Sequence, residues 1–114
     1  MFRATTVGSP KDSTWLTRNK LRSRFEAFKA ADAAWLLHTW HPSTRPTELD
    51  LSDNPTWRGL QILRTVDGGE RDDSGQVEFR ATYLQDGEVQ VLHERSEFVR
   101  VEGCWKYLDG VAGG

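Results

Sequence analysis

The sequence predicts an α+β domain in which an N-terminal helical hairpin packs on the inner face of a bent antiparallel sheet of about four strands. Three observations lead there. Leu21, Phe25 and Phe28 recur at i, i+4 and i+7, the apolar stripe of an amphipathic helix. From Trp57 onward, runs of alternating apolar and polar residues are separated by glycine-containing turns. Two dipeptides, Asp86-Gly87 and Glu102-Gly103, sit where tight hairpin turns are needed.

Taken in order, residues 1–12 lack periodicity and read as a mobile lead-in, with 13–114 as a single domain. Asp12, Ser13 or Thr14 can cap the first helix. On it, Arg24 falls roughly 60–70° from the centre of the apolar stripe, with Arg18 and Arg22 on the other flank. Asp32 caps a second helix from Ala33 to about Trp40, which stops because Pro42 pushes His41 out of the α region. Residues 42–56 form a crossing loop with one helical turn near Leu49 to Asp53. Strands follow at Trp57 to Val66, Gln76 to Gln85, Glu88 to Val101 and Cys104 to Leu108, with Asp109-Gly110 read as a turn after the last.

The two hairpin turns set the register. A two-residue loop at Asp86-Gly87 places Phe79 opposite Glu94 and Val77 opposite Ser96; one at Glu102-Gly103 places Arg100 opposite Trp105 and Phe98 opposite Tyr107. One face then gathers Val77, Phe79, Ala81, Tyr83, Leu92, Phe98, Trp105 and Tyr107, the pattern of a sheet with one wet side. The outer face gathers Arg80, Thr82 and His93, with Glu78 opposite Arg95 as a surface pair. Glu94 is the anomaly, a carboxylate in mid-strand on the apolar face. It needs a partner there, or a raised pKa.

Bulk properties narrow the function classes. The 114 residues carry a net charge of −2, with 37% hydrophobic and 28% charged residues. That balance gives no prior for nucleic acid. Residues 1–30 nevertheless hold seven basic residues against two acidic ones, so an anionic partner on the first helix stays as a second alternative. Cys104 is the single cysteine, which excludes an intrachain disulfide or a cysteine-based zinc site and suits a reducing compartment. With no apolar run of ~18 residues, the expectation is a soluble, cytoplasmic protein.

The run Leu21-Arg22-Ser23-Arg24-Phe25-Glu26-Ala27-Phe28 resembles the "MRSRYxAF" signature of the YchJ-type uncharacterised bacterial family. Thr39 to Pro46, Trp57 with Gly59-Leu60, Val77-Glu78-Phe79, His93 to Ser96 with Phe98, and Trp105 to Gly110 follow in that family's order. The resemblance covers about Lys20 to Gly110 and implies a nuclear-transport-factor-2-like (cystatin-like) cone with a pocket. Many relatives also carry cysteine-rich zinc motifs of the SecA C-terminal type; this chain has no Cys pair, so neither zinc nor another cofactor is carried over. The family supplies no catalytic residues.

Three functions remain open. The first is a non-catalytic module that binds a small ligand or a protein partner, with Arg24, Trp40, Trp57, Phe79, Tyr83, Ser96, Trp105 and Tyr107 as pocket candidates. The second is an isomerase, dehydratase or hydrolase using Glu94 and His41 as acid–base groups; against it stand the readings favoured for each residue, Glu94 paired with Arg24 or Arg22 and His41 anchoring a loop. The third is the anionic-partner binder. His38 and His41 have a metal-like spacing without a third ligand, so no metal is expected, and Cys104 has no activating neighbour beyond Lys106. Leu84, Val89, Val91, Val99 and Leu108 make the outer face a candidate homodimer surface.

Overall fold

The computed structural model describes residues 15–112. Helix α1 spans Trp15–Lys29 and α2 Ala33–His38; strands β1 (Thr56–Asp67), β2 (Ser74–Gln85), β3 (Glu88–Val101) and β4 (Cys104–Ala112) form one antiparallel meander in the order β1-β2-β3-β4. The lead-in and the candidate caps of α1 lie outside the described residues. Among those described, no helix is long and apolar enough to cross a membrane.

The hairpin turns behave as the dipeptides require. Asp86 and Gly87 have φ of 54° and 80°, and Glu102 and Gly103 have 50° and 83°, positive at both central positions as a type I′ turn demands. The register follows: Phe79 faces Glu94, Val77 faces Ser96, Arg100 faces Trp105 and Phe98 faces Tyr107. Val77, Phe79, Ala81, Phe98 and Trp105 are buried with Leu21 of α1 in one core, and the sheet's other side is wet. On that wet side Val89 and Val91 are 70% and 58% exposed.

Curvature comes from three irregularities. Arg58 and Leu63 are extra residues on β1, and Leu108 is an extra residue on β4. A bulge bends its strand and resets the alternation beyond it. The one at Arg58 turns Leu60 and Ile62 inward, opposite Ala81 and Phe79, where strict alternation would have placed Gly59 and Gln61. The bulge at Leu63 then leaves that side chain out and returns Thr65 to face Val77.

Four local expectations are corrected. Helix α2 ends at His38 rather than Trp40, because Trp40 bridges in parallel to Tyr107 of β4. No helix forms near Leu49 to Asp53; the chain makes a hydrogen-bonded turn there, closed by Asn54 N–H donating to Leu51 O at 3.0 Å. Strand β4 runs through Asp109-Gly110 instead of turning there, since the Leu108 bulge lets Gly110 and Ala112 pair with Ser96 and Glu94. Glu78 lies opposite Arg95, yet its carboxylate takes His93 Nε2 at 2.6 Å, a diagonal neighbour two residues along β3.

The hairpin is tied to the sheet at its C-terminal end. Asp32 caps α2 by accepting from Trp35 N–H at 3.1 Å. The segment after α2 lies along β4, with His41 N–H donating to Tyr107 O at 2.7 Å and Tyr107 N–H donating to Thr39 O at 2.8 Å. Three cations from three elements take carbonyls there: Arg24 on Leu36 O, Lys106 on His38 O and Arg45 on Trp40 O. Leu36 O and His38 O lie in the last turn of α2, where carbonyls lack a helix N–H partner and a cation is a favourable cap, and Trp40 O lies just beyond it.

Candidate functional site

Between α1 and the concave face of the sheet lies a cavity of about 200 Å³. From α1 it takes Leu21, Arg24, Phe25 and Phe28, the whole i, i+3, i+4, i+7 stripe. Trp57, Leu60, Phe79, Ala81 and Leu92 complete an apolar wall, and Trp40, Glu94, Ser96 and Tyr107 share the lining with Arg24. The aromatic wall is internally braced: Trp57 meets Phe25 and Phe28 at 6.1 Å each and Tyr83 at 5.0 Å. Asn54 fixes Trp57 by accepting its indole N–H at 3.0 Å, while its own amide donates to Phe28 O at 2.7 Å.

Arg24 is 4% exposed. Its Nη1 donates to Leu36 O at 2.8 Å and to Thr39 Oγ1 at 2.6 Å, and its guanidinium carbon sits 4.4 Å from the Tyr107 ring centre and 5.0 Å from that of Trp40. No carboxylate among the described residues pairs with it. Burial lowers its pKa to about 10, so it stays charged at neutral pH; Tyr107 nearby opposes the shift. Burial raises the Tyr107 phenol to about 12, reinforced by Glu94 and countered by Arg24.

Glu94 is therefore not half of an ion pair with Arg24 or Arg22, as one sequence reading expected. Its carboxyl lies over Gly110: a Cβ at that position would meet Glu94 Cδ at 2.7 Å and Tyr107 Oη at 3.0 Å. Burial raises the Glu94 pKa from the ordinary 4.5, and Asp109 adds to the rise. A carboxyl raised in the folded state supports folding fully below its unfolded pKa and loses that support as pH climbs through the folded value. Glu94→Gln is accordingly expected to be more stable than wild type at pH 7 by about 0.5–1 kcal/mol, a small gain because the site is partly screened by solvent. Urea unfolding at neutral and acidic pH checks this: the gain should vanish below ~pH 4. A loss of ~3 kcal/mol at neutral pH would reveal a buried charge partner instead.

Three sequence candidates fall outside the cavity lining. His41 Nδ1 accepts the backbone N–H of Ser43 at 3.0 Å and contacts its hydroxyl at 2.8 Å, so the ring anchors its loop and does not meet Glu94 at the cavity. Trp105 is a core residue at 6% exposure, covered by Arg100 at 4.5 Å, and Tyr83 braces Trp57 from outside the lining. Conversely, Leu60 lines the cavity although strand alternation alone does not turn it inward; the Arg58 bulge does, while Leu92 lies on the inner face where the hairpin register puts it. Among the described residues no group of three or more His, Cys, Asp or Glu could hold a metal ion.

A two-helix hairpin closing a bent meander around an inner cavity defines a nuclear-transport-factor-2-like cone. The chain belongs to the YchJ family: the family model described as "YchJ, middle NTF2-like domain" matches residues 17–110. The UPF0225 protein SCO1677 of Streptomyces coelicolor is 52% identical over 90 residues, covering 79% of this chain and 69% of that protein. A UPF0225 protein of Streptomyces avermitilis is 48% identical over 90 residues, covering 79% of this chain and 61% of that one. The chain thus spans about three-fifths to seven-tenths of the length of these relatives. Among solved structures, that of RPA3114, a SEC-C motif containing protein from Rhodopseudomonas palustris, has a TM-score of 0.71 at 29% identity, covering 82% of this chain and 76% of that chain. A SEC-C motif containing protein from Psychrobacter arcticus has a TM-score of 0.68 at 22% identity, covering 89% and 63%, a likeness of fold.

Proposed function

We propose that this domain is a non-catalytic binding module that holds a small, largely apolar molecule inside its cone. The observation that carries the reading is the open cavity of about 200 Å³, walled by aromatic and aliphatic side chains with a few polar groups among them. Small-molecule sites have this make-up, an apolar enclosure with few orienting polar groups. An apolar cavity of roughly 150 Å³ admits benzene, so this one has room for a single ring with a substituent.

Two competing readings have less support. An acid–base enzyme using Glu94 and His41 needs both at one molecule, and His41 is engaged in its own loop. A nucleic-acid binder needs a basic face on α1. There Arg24 is buried and Lys20 lies over Trp35 at 5.4 Å, which leaves Arg18, Arg22 and Lys29 exposed on the described part of the helix.

Ala81, 1% exposed on the cavity wall, gives a direct test. Ala81→Ile places three more carbons in the void on a strand that favours a β-branched residue. It is expected to change stability by no more than about 1 kcal/mol, since it fills space rather than displacing packed atoms. It should abolish the shifts that benzyl alcohol induces in the wild-type Trp57 indole N–H resonance. Undiminished shifts in the variant would place the probe elsewhere and defeat the reading.

A further inference from the structure

We propose that the cavity's ligand is a small carboxylate on a flat apolar body, its carboxylate seated on Arg24 and its ring against Phe25, Trp57, Phe79 and Leu92. This rests on the cavity being a ligand site and names the class of ligand it takes. The guanidinium of Arg24 presents two edges. Both hydrogen bonds from Arg24 leave through Nη1, toward Leu36 O and Thr39 Oγ1. Nε and Nη2 make none among the described residues, although the residue is 4% exposed and lines the cavity. A buried cation without a counter-ion is costly. A planar carboxylate is what the remaining edge fits, by two parallel N–H···O bonds.

The surroundings favour an anion with few alternatives. Tyr107 lies under the guanidinium and keeps its proton at neutral pH, so its hydroxyl is available as a second donor. The Ser96 hydroxyl, on the same lining, makes no hydrogen bond among the described residues. The charged or titratable groups around Glu94 are Arg24 from α1 and Tyr107 and Asp109 from β4, with Phe79 opposite on β2. A ligand carboxylate entering this group is repelled by ionised Glu94 and accepts a hydrogen bond from protonated Glu94. Binding therefore takes up a proton, and affinity falls as pH rises through the Glu94 pKa. Burial of the Glu94 carboxyl acts in the same direction.

The experiment is a titration of the full chain with benzoate, with its neutral isostere benzamide and with benzene, followed by calorimetry and by the Trp57 indole resonance. Benzoate is expected to bind at least tenfold more tightly than benzamide at mildly acidic pH and to weaken toward alkaline pH. Glu94→Gln, which keeps the fold, should bind benzoate with that pH dependence flattened. Arg24→Lys should lose the preference for benzoate over benzamide; if it does not fold, the Glu94→Gln profile still decides. Equal binding of benzoate and benzamide, or an unchanged pH profile in Glu94→Gln, would overturn the carboxylate assignment. Benzene shifting the Trp57 resonance in that case would leave the cavity reading standing. If none of the three probes shifts it, both readings fail.

Discussion

Phe98→Ala is expected to cost about 4 kcal/mol, the largest loss among single truncations in this domain. Phe98 and Val77 are both 0% exposed, at the centre of the core that α1 closes through Leu21. The ring stands edge-on to Tyr107 at 6.1 Å, directly across from it on β4. Truncation removes the transfer energy of a phenyl group and leaves a void that a four-stranded sheet with two tight turns cannot close. A domain of this size has roughly 5–15 kcal/mol of total stability, so the variant should unfold at much lower urea with an unchanged denaturant slope. The loss has a functional consequence as well. With Phe98 gone, the Tyr107 ring keeps Trp40 at 5.2 Å but loses its cross-strand aromatic neighbour, and Tyr107 supports the guanidinium of Arg24. Binding at the cavity should therefore weaken even where the variant is still folded. A cost below ~1.5 kcal/mol would mean that the sheet collapses around the void and that its curvature is soft.

Much of this arrangement is legible in the residue order. The two turn dipeptides need positive φ at both central residues, which fixes loop length, and loop length fixes which side chains oppose one another. Placing Val77, Phe79, Phe98 and Tyr107 on one face required only that arithmetic, and the pairs hold. The α1 stripe was equally visible, because Leu21, Phe25 and Phe28 have nowhere to go except that face.

What the sequence hides is competition between partners and insertion of single residues. The angular position of Arg24 on α1 is right, but angle does not choose between a carboxylate on β3 and a carbonyl on α2. The six-residue α2 presents Leu36 O and Thr39 Oγ1 within reach, and the guanidinium goes there, leaving Glu94 without it. Asp109-Gly110 reads as a turn by composition. In the fold, Gly110 is a strand residue whose missing Cβ makes room for the Glu94 carboxyl. Gly59 flanks the bulge at Arg58, as an isolated strand glycine often does, but it does not say which residue is extra, and the bulges at Leu63 and Leu108 have no glycine or proline beside them.

Arg24→Met is expected to cost about 3 kcal/mol. The substitution removes two charge-assisted hydrogen bonds, each worth roughly 1.5–3 kcal/mol, and contacts with two ring faces worth about 0.5–2 kcal/mol each. Against that, it relieves the desolvation of a buried cation, and methionine refills part of the volume. Leu36 O also keeps the Thr39 hydroxyl at 3.3 Å, so its carbonyl is not left bare. Arg24→Lys should fall between wild type and Met, because a point ammonium cannot satisfy Leu36 O and Thr39 Oγ1 together while lying flat on Tyr107. Urea unfolding of the three proteins orders them. A cost near 3 kcal/mol for Met would show the Nη1 edge as a structural tie between α1 and α2. A cost below ~1 kcal/mol would show that the hydrogen bonds only offset desolvation. The guanidinium would then be a charge kept in the interior at no gain in stability, and the edge turned to the cavity would be what keeps it there.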